Sequence, residues 1–200
     1  MGLKEHAEQS AELCRLLYPD LPWMHVAGLL HGLGKLLAHK KFGSQPQWAV
    51  CGDSYPLGCR FDPHIFGAQF FLANPDKRRR MYQTQLGIYQ ARCGLRNVLM
   101  SWGSQEYLFL VLLLNSSQLP YEALFLLRHL RFTALTRPGN TYQALLSPED
   151  EALMPLLRAF QRLTAYQRVD IPAALRLNGP DFHAYYTRLL HQYLPEQLMW

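Results

Sequence analysis

Residues 28–37 read GLLHGLGKLL. His31 is the lone imidazole in an apolar stretch, and Lys35 follows four residues later, with Gly32 and Gly34 between them. Positions i and i+4 share one face of an α-helix. Read as part of a helix from Trp23 to about Ala38, the stretch projects an imidazole and an ammonium together from oily surroundings. Each glycine inside such a helix costs about 1 kcal/mol relative to alanine, so Gly32 and Gly34 need a reason.

The neighbouring segments give that helix partners. Residues 3–18 form an amphipathic helix with His6 inside the apolar arc of Leu3, Ala7, Ser10, Leu13, Cys14 and Leu17. Tyr18-Pro-Asp-Leu-Pro22 separates the two helices. From Phe42 to about Asp76 the chain is rich in glycine, proline and aromatic residues, with no helical period. Irregular stretches longer than about 15 residues are uncommon in a compact domain unless they line a site.

Helices resume after Gly103. Ser104 is placed as the cap of a helix to about Asn115, and Pro120 in the first turn of one reaching about Phe132. Ser147-Pro-Glu-Asp150 has the spacing of a capping box, opening a helix to about Arg168. A last helix runs from about Pro180 to Tyr193. Helices dominate and no strands alternate with them, so the expected class is all-α in a single domain.

Composition narrows the function classes. The chain has 200 residues, 49% of them hydrophobic and 18% charged, enough for a real core and too apolar for disorder. Its net charge of +5 comes from 20 basic and 15 acidic residues, a mild excess that argues against a nucleic-acid partner. The run Lys77-Arg78-Arg79-Arg80 reads as a solvated face, with a partner contact as the alternative. The apolar run Tyr107–Leu114 is too short to span a bilayer, and no signal peptide is visible. Cys14, Cys51, Cys59 and Cys93 show no CxxC spacing. The expected setting is therefore cytoplasmic, without membrane attachment, and the expected state a monomer.

Among the eight histidines, His6 and His31 stand on apolar faces, whereas His39, His183 and His191 lie in polar surroundings. A metal site needs several imidazoles or carboxylates converging from different elements. Either histidine taken alone reads more simply as a hydrogen-bonded core residue. Asp53, beside Gly52, reads equally as a turn former or a site carboxylate. No GxSxG, P-loop or HExxH pattern is present, which removes serine hydrolases, P-loop NTPases and zincins.

LPWMHVAGLLHGLGKLL, FGSQPQWAVCGDSYPLGCRF, NPDKRRRMYQTQLGIYQARCGLRNVLMSWG and the terminal tryptophan together resemble the myo-inositol oxygenase family. The resemblance implies the helical HD-domain architecture. It also implies a non-haem di-iron centre, held by four histidines and two aspartates, that uses O2 to cleave myo-inositol to D-glucuronate.

Carried over by position, His6 and His31 match two histidine ligands. Gly32 stands where the family has the aspartate that bridges the irons. Ser104 and Leu130 stand at the other histidine positions, with His129 one residue from the second, and Thr164 stands at the last aspartate. Lys35, Gly52 and Asp53 match substrate contacts, while Arg131 and Arg168 replace a serine and a lysine near the site. The family's N-terminal covering segment has no counterpart in the sequence.

The resemblance therefore implies an inositol-oxygenase homologue with a decayed iron site and little or no activity. The alternative is an active oxygenase with replacement ligands, or with one iron on His6, His31 and His129. A third reading, by analogy with the wider HD architecture, is a nucleotide or phosphate binder using Lys35, Arg131 and Arg168.

Overall fold

Helix α1 (Leu3–Leu17) and helix α2 (Pro22–Leu30) pack together as a helical hairpin in a computed structural model that describes residues 1–200. The turn between them is closed by the Leu21 amide on the Tyr18 carbonyl. Five further α-helices follow: α3 (Gln47–Val50), α4 (Ser104–Leu114), α5 (Tyr121–His129), α6 (Pro148–Leu163) and α7 (Gly179–Tyr193). The only β-type pairing is an isolated bridge between Pro56 and Met100, so the all-α expectation holds.

Helix α5 is the centre of the packing and touches α2, α4 and α6. Its Phe125, Leu126 and Leu127 are almost wholly buried, joined by Met24 and Ala27 from α2, Leu108 and Leu112 from α4, and Leu157 and Phe160 from α6. Burying side chains of this size stabilises a fold by about 1.5–3 kcal/mol each. One ion pair accompanies them: Arg128 meets Glu106 at 2.7 Å and also donates to the carbonyls of Leu95 and Val98. That pair fastens α5 and α4 to the segment preceding α4.

The capping box at Ser147 forms as its sequence implies, with the Ser147 hydroxyl accepting from the Asp150 amide and Asp150 accepting from the Ser147 amide. Asp150 also accepts from the Leu95 amide, so one carboxylate caps α6 and ties it to the loop before α4. Elsewhere the boundaries differ from expectation. Ser104 is the first helical residue rather than the cap, Pro120 is the residue before α5, α5 stops at His129, and α6 stops at Leu163.

The largest correction falls on GLLHGLGKLL. Instead of one helix to Ala38, α2 ends at Leu30, His31 and Gly32 form a turn, and Leu33–Ala38 is a 3-10 helix. Gly34 supplies a reason. A Cβ at this position would lie 1.9 Å from the Ser104 carbonyl oxygen, so the 3-10 segment crosses the start of α4 backbone to backbone. Apolar periodicity carries no signal for that crossing, because the contact lies 70 residues away in sequence.

The segment 42–76 is largely irregular as expected, but it is interrupted by α3 and by short 3-10 helices at Ala68–Ala73 and, running past its end, Pro75–Arg78. Asp62, 1% exposed, anchors it by accepting from the amides of His64 and Thr141, while its own amide donates to the Tyr142 hydroxyl. No helix is long and apolar enough to cross a membrane. Lys77, Arg78, Arg79 and Arg80 are all exposed.

Candidate functional site

Five helix ends meet around a cavity of about 290 Å³. The first turns of α1 bring His6, the end of α2 brings His31, and the 3-10 segment brings Lys35. The start of α4 brings Ser104 and Gln105, the chain leaving α5 brings Leu130, Arg131 and Thr133, and the end of α6 brings Gln161, Thr164, Ala165 and Tyr166. Cys51 completes the wall. Helix termini leave backbone groups without partners inside the helix, which gives such a junction a polar lining.

The two histidines face each other edge to face, with ring centroids 4.9 Å apart. Nδ1 of His31 lies 2.6 Å from the Gly28 carbonyl, and Nε2 of His6 lies 3.2 Å from the Ala165 carbonyl. A carbonyl accepts only from N–H, so these contacts assign the proton to Nδ1 of His31 and to Nε2 of His6. Burial pushes His31 down to about 4, partly offset by its bond to the Gly28 carbonyl and reinforced by repulsion from His6 and Lys35. His6 is lowered as well, mainly by burial and partly offset by its bond to Ala165. Both rings are neutral at pH 7, and each keeps one unprotonated nitrogen.

The other wall contributes no comparable donor. The Ser104 hydroxyl donates to Gln105 Oε1 at 2.6 Å, and the Thr164 hydroxyl donates to the Phe160 carbonyl at 2.8 Å. Leu130 adds only hydrocarbon. No three histidine, cysteine, aspartate or glutamate side chains converge in a way that could hold a metal ion.

His129 does not line the cavity. It is 1% exposed, with Nδ1 on the Phe125 carbonyl and a buried Nε2 that has no partner. Its ring packs against Phe125 and Phe132, and burial pushes its pKa down to about 3.

Gly32 also lies outside the polar cavity. It lines an adjoining apolar groove of about 720 Å³ that shares His6, His31 and Lys35 with the cavity. A Cβ at Gly32 would meet nothing within 4 Å, so a side chain fits there freely.

Of the three positions matched to substrate contacts, Lys35 lines the cavity directly. Asp53 stands behind it, accepting from the Thr133 hydroxyl and the Phe66 amide, each at 3.0 Å. Gly52 is exposed beside the lining residue Cys51. Arg131 reaches the cavity and donates to the Cys51 carbonyl at 3.4 Å. Arg168 does not: it pairs with Glu5 in a separate groove, so the trio Lys35, Arg131 and Arg168 is not assembled.

Gln105, Thr133, Gln161 and Tyr166 escaped the sequence reading. Gln105 donates to the His31 carbonyl and Gln161 to the Leu130 carbonyl, each closing a helix end. Tyr166 packs on His6 with centroids 4.7 Å apart. A glutamine that caps a distant helix has no local sequence signature; only the placement of Gln161 and Tyr166 around Thr164 hinted at their position. His25, by contrast, is a structural histidine bonded to the Tyr185 hydroxyl and the Tyr18 carbonyl. His39, His183 and His191 are exposed, as their polar surroundings implied.

A family model described as myo-inositol oxygenase matches residues 1–200. Inositol oxygenase 1 of Arabidopsis thaliana is 41% identical over 196 residues, covering 98% of this chain and 61% of that protein. The inositol oxygenase of Dictyostelium discoideum is 40% identical and that of Homo sapiens 42%, each alignment covering 98% of this chain and 66% of the relative. The chain thus spans slightly less than two thirds of the length of these curated relatives.

Proposed function

The chain belongs to the myo-inositol oxygenase family, and on that premise we propose that it is a homologue with a dismantled di-iron site and little or no oxygenase activity. The observation that carries this reading is the donor set around the cavity. Only His6 and His31 offer free imidazole nitrogens, and no aspartate or glutamate lines the wall. The family reaction requires two irons bridged and neutralised by carboxylate. Hard iron sites take imidazole nitrogen and carboxylate oxygen; two neutral imidazoles beside two cationic side chains do not fit that group.

Replacement ligands do not rescue the alternative. The hydroxyl protons of Ser104 and Thr164 are already directed at neighbouring acceptors, and His129 is turned into the core between Phe125 and Phe132. Changes to groups that merely support a metal ligand cost 10–100-fold in affinity or activity, and four altered ligand positions cost more.

What persists is a pocket near the lower end of the ~300–1,000 Å³ usual for small-molecule sites, matched to a ligand of sugar size. A polyol or a polyol derivative, the class to which the family's substrate myo-inositol belongs, is the expected occupant. The test is D-glucuronate formation from myo-inositol and O2 by the purified full chain with Fe(II) supplied. Turnover at background level is expected, and sustained turnover dependent on His31 would overturn the reading.

A further inference from the structure

The charge of the cavity departs from what a neutral polyol needs. Lys35 and Arg131 both line it, and neither is ion-paired with a carboxylate. The acidic groups on the surrounding elements are engaged elsewhere. Glu5 of α1 pairs with Arg168, Glu8 with Lys4, and Glu106 of α4 with Arg128. Asp53 sits behind Thr133 and accepts from it and from the Phe66 amide. Two unpaired cations beside one small cavity favour an anion, because an oxyanion adds Coulombic attraction that a neutral hydroxyl acceptor lacks.

The neutral lining has a matching polarity. Ser104, Thr133 and Thr164 all donate their hydroxyl protons to protein acceptors, so toward the cavity they present oxygen lone pairs. The carbonyls of His31, Leu130 and Ala165 already accept from Gln105, Gln161 and His6. The start of α4 adds a partial positive charge, since no side chain caps it. His31, only 6% exposed, presents an unpartnered Nε2 at the same wall. Acceptor oxygens call for ligand hydroxyls, and cationic donors call for an oxyanion.

We propose that this cavity binds a small polyhydroxylated oxyanion, a polyol phosphate or a sugar acid, with Lys35 and Arg131 holding the charge and the hydroxyl-bearing wall accepting from the ligand hydroxyls. The inference rests on the reading that no di-iron centre occupies the site, and it fails separately from that reading because its test uses chelator-treated protein. A neutral polyol offers both cations hydroxyl acceptors but leaves their charge unbalanced. Inorganic phosphate leaves most of the acceptor wall unused.

Calorimetric titration of the full chain at low salt with myo-inositol, an inositol monophosphate, D-glucuronate and inorganic phosphate tests it. At least one of the two hydroxylated anions binds roughly tenfold or more tightly than myo-inositol or phosphate, and which one does so separates the phosphate source from the carboxylate source. Lys35→Gln and Arg131→Gln each weaken that binding by about tenfold or more, and added salt weakens it in the parent. Arg158→Gln, an exposed charge on α6 outside the cavity, leaves it unchanged. Circular dichroism verifies that each variant is folded. Equal or tighter binding of myo-inositol or phosphate, no binding of either hydroxylated anion, or indifference to both glutamine variants would overturn the proposal.

Discussion

The two walls of the cavity differ in their chemistry. On the α1–α2 side, His6 and His31 keep neutral rings, defined tautomers and a free nitrogen each. On the α4–α5–α6 side stand Ser104, Leu130 and Thr164, which the resemblance matches to further ligand positions, and the two hydroxyls there donate to protein acceptors. Both walls nevertheless pack on one core centred on α5. The contrast teaches that one apolar core carries two walls of different donor chemistry. Apolar burial around α5 holds the helices together, and Gln105, Gln161 and His6 tie the helix ends at the cavity.

The steepest expected break concerns protons rather than ligands. His129 and His31 are held neutral by burial, at about 3 and about 4. Since the unfolded chain binds these protons near pH 6.5 and the folded chain does not, stability is complete above pH 6.5. It falls as pH drops toward those values, by up to about 1.4 kcal/mol per pH unit for each ring. Urea unfolding at pH 7, 6, 5 and 4 measures the slope, and His129→Leu should lower it by about one proton. An unchanged slope in that variant would place the acid sensitivity elsewhere.

Next in size is the contrast between two glycines in one turn. Gly34→Ala forces apart the backbones of the 3-10 segment and α4, and overpacking of this kind costs about 1–3 kcal/mol or more. In a chain of this length each kcal/mol lowers Tm by roughly 2–4 °C. Gly32→Asp enters open space in a right-handed helical conformation and should change stability by no more than about 0.5 kcal/mol. Thermal unfolding of the two variants side by side decides it.

The smallest expected effect is on function. Gly32→Asp alone should restore neither iron binding nor glucuronate formation, because Ser104, Leu130 and Thr164 still leave the site open. Adding Ser104→His, Leu130→His and Thr164→Asp should recover iron binding, read by metal analysis. Recovery from Gly32→Asp alone would contradict the account.

Much of this architecture was legible in the sequence. The amphipathic arc containing His6, the Ser147–Asp150 capping box and the irregular segment after Phe42 all signal through local pattern, and each formed. The break after Leu30 was not legible, because GLLHGLGKLL stays apolar throughout and the cause is contact of Gly34 with the Ser104 backbone. Position in the resemblance grouped His6, His31 and Lys35, and the three line one cavity. It misplaced Arg168, since α6 ends five residues earlier and the chain turns that arginine toward Glu5. It missed Gln105 and Gln161, whose roles exist only once remote helix ends meet. Gly32 itself is neither a mere helix device nor a steric necessity: it is an open position in the turn, beside the histidine pair, where a side chain would fit.

The central claim is that this family member no longer assembles a di-iron centre. Metal analysis of the full chain, purified after anaerobic incubation with Fe(II), tests it most directly. The account predicts iron far below stoichiometric and unaffected by His31→Ala; close to two irons per chain, lost in His31→Ala, would contradict it.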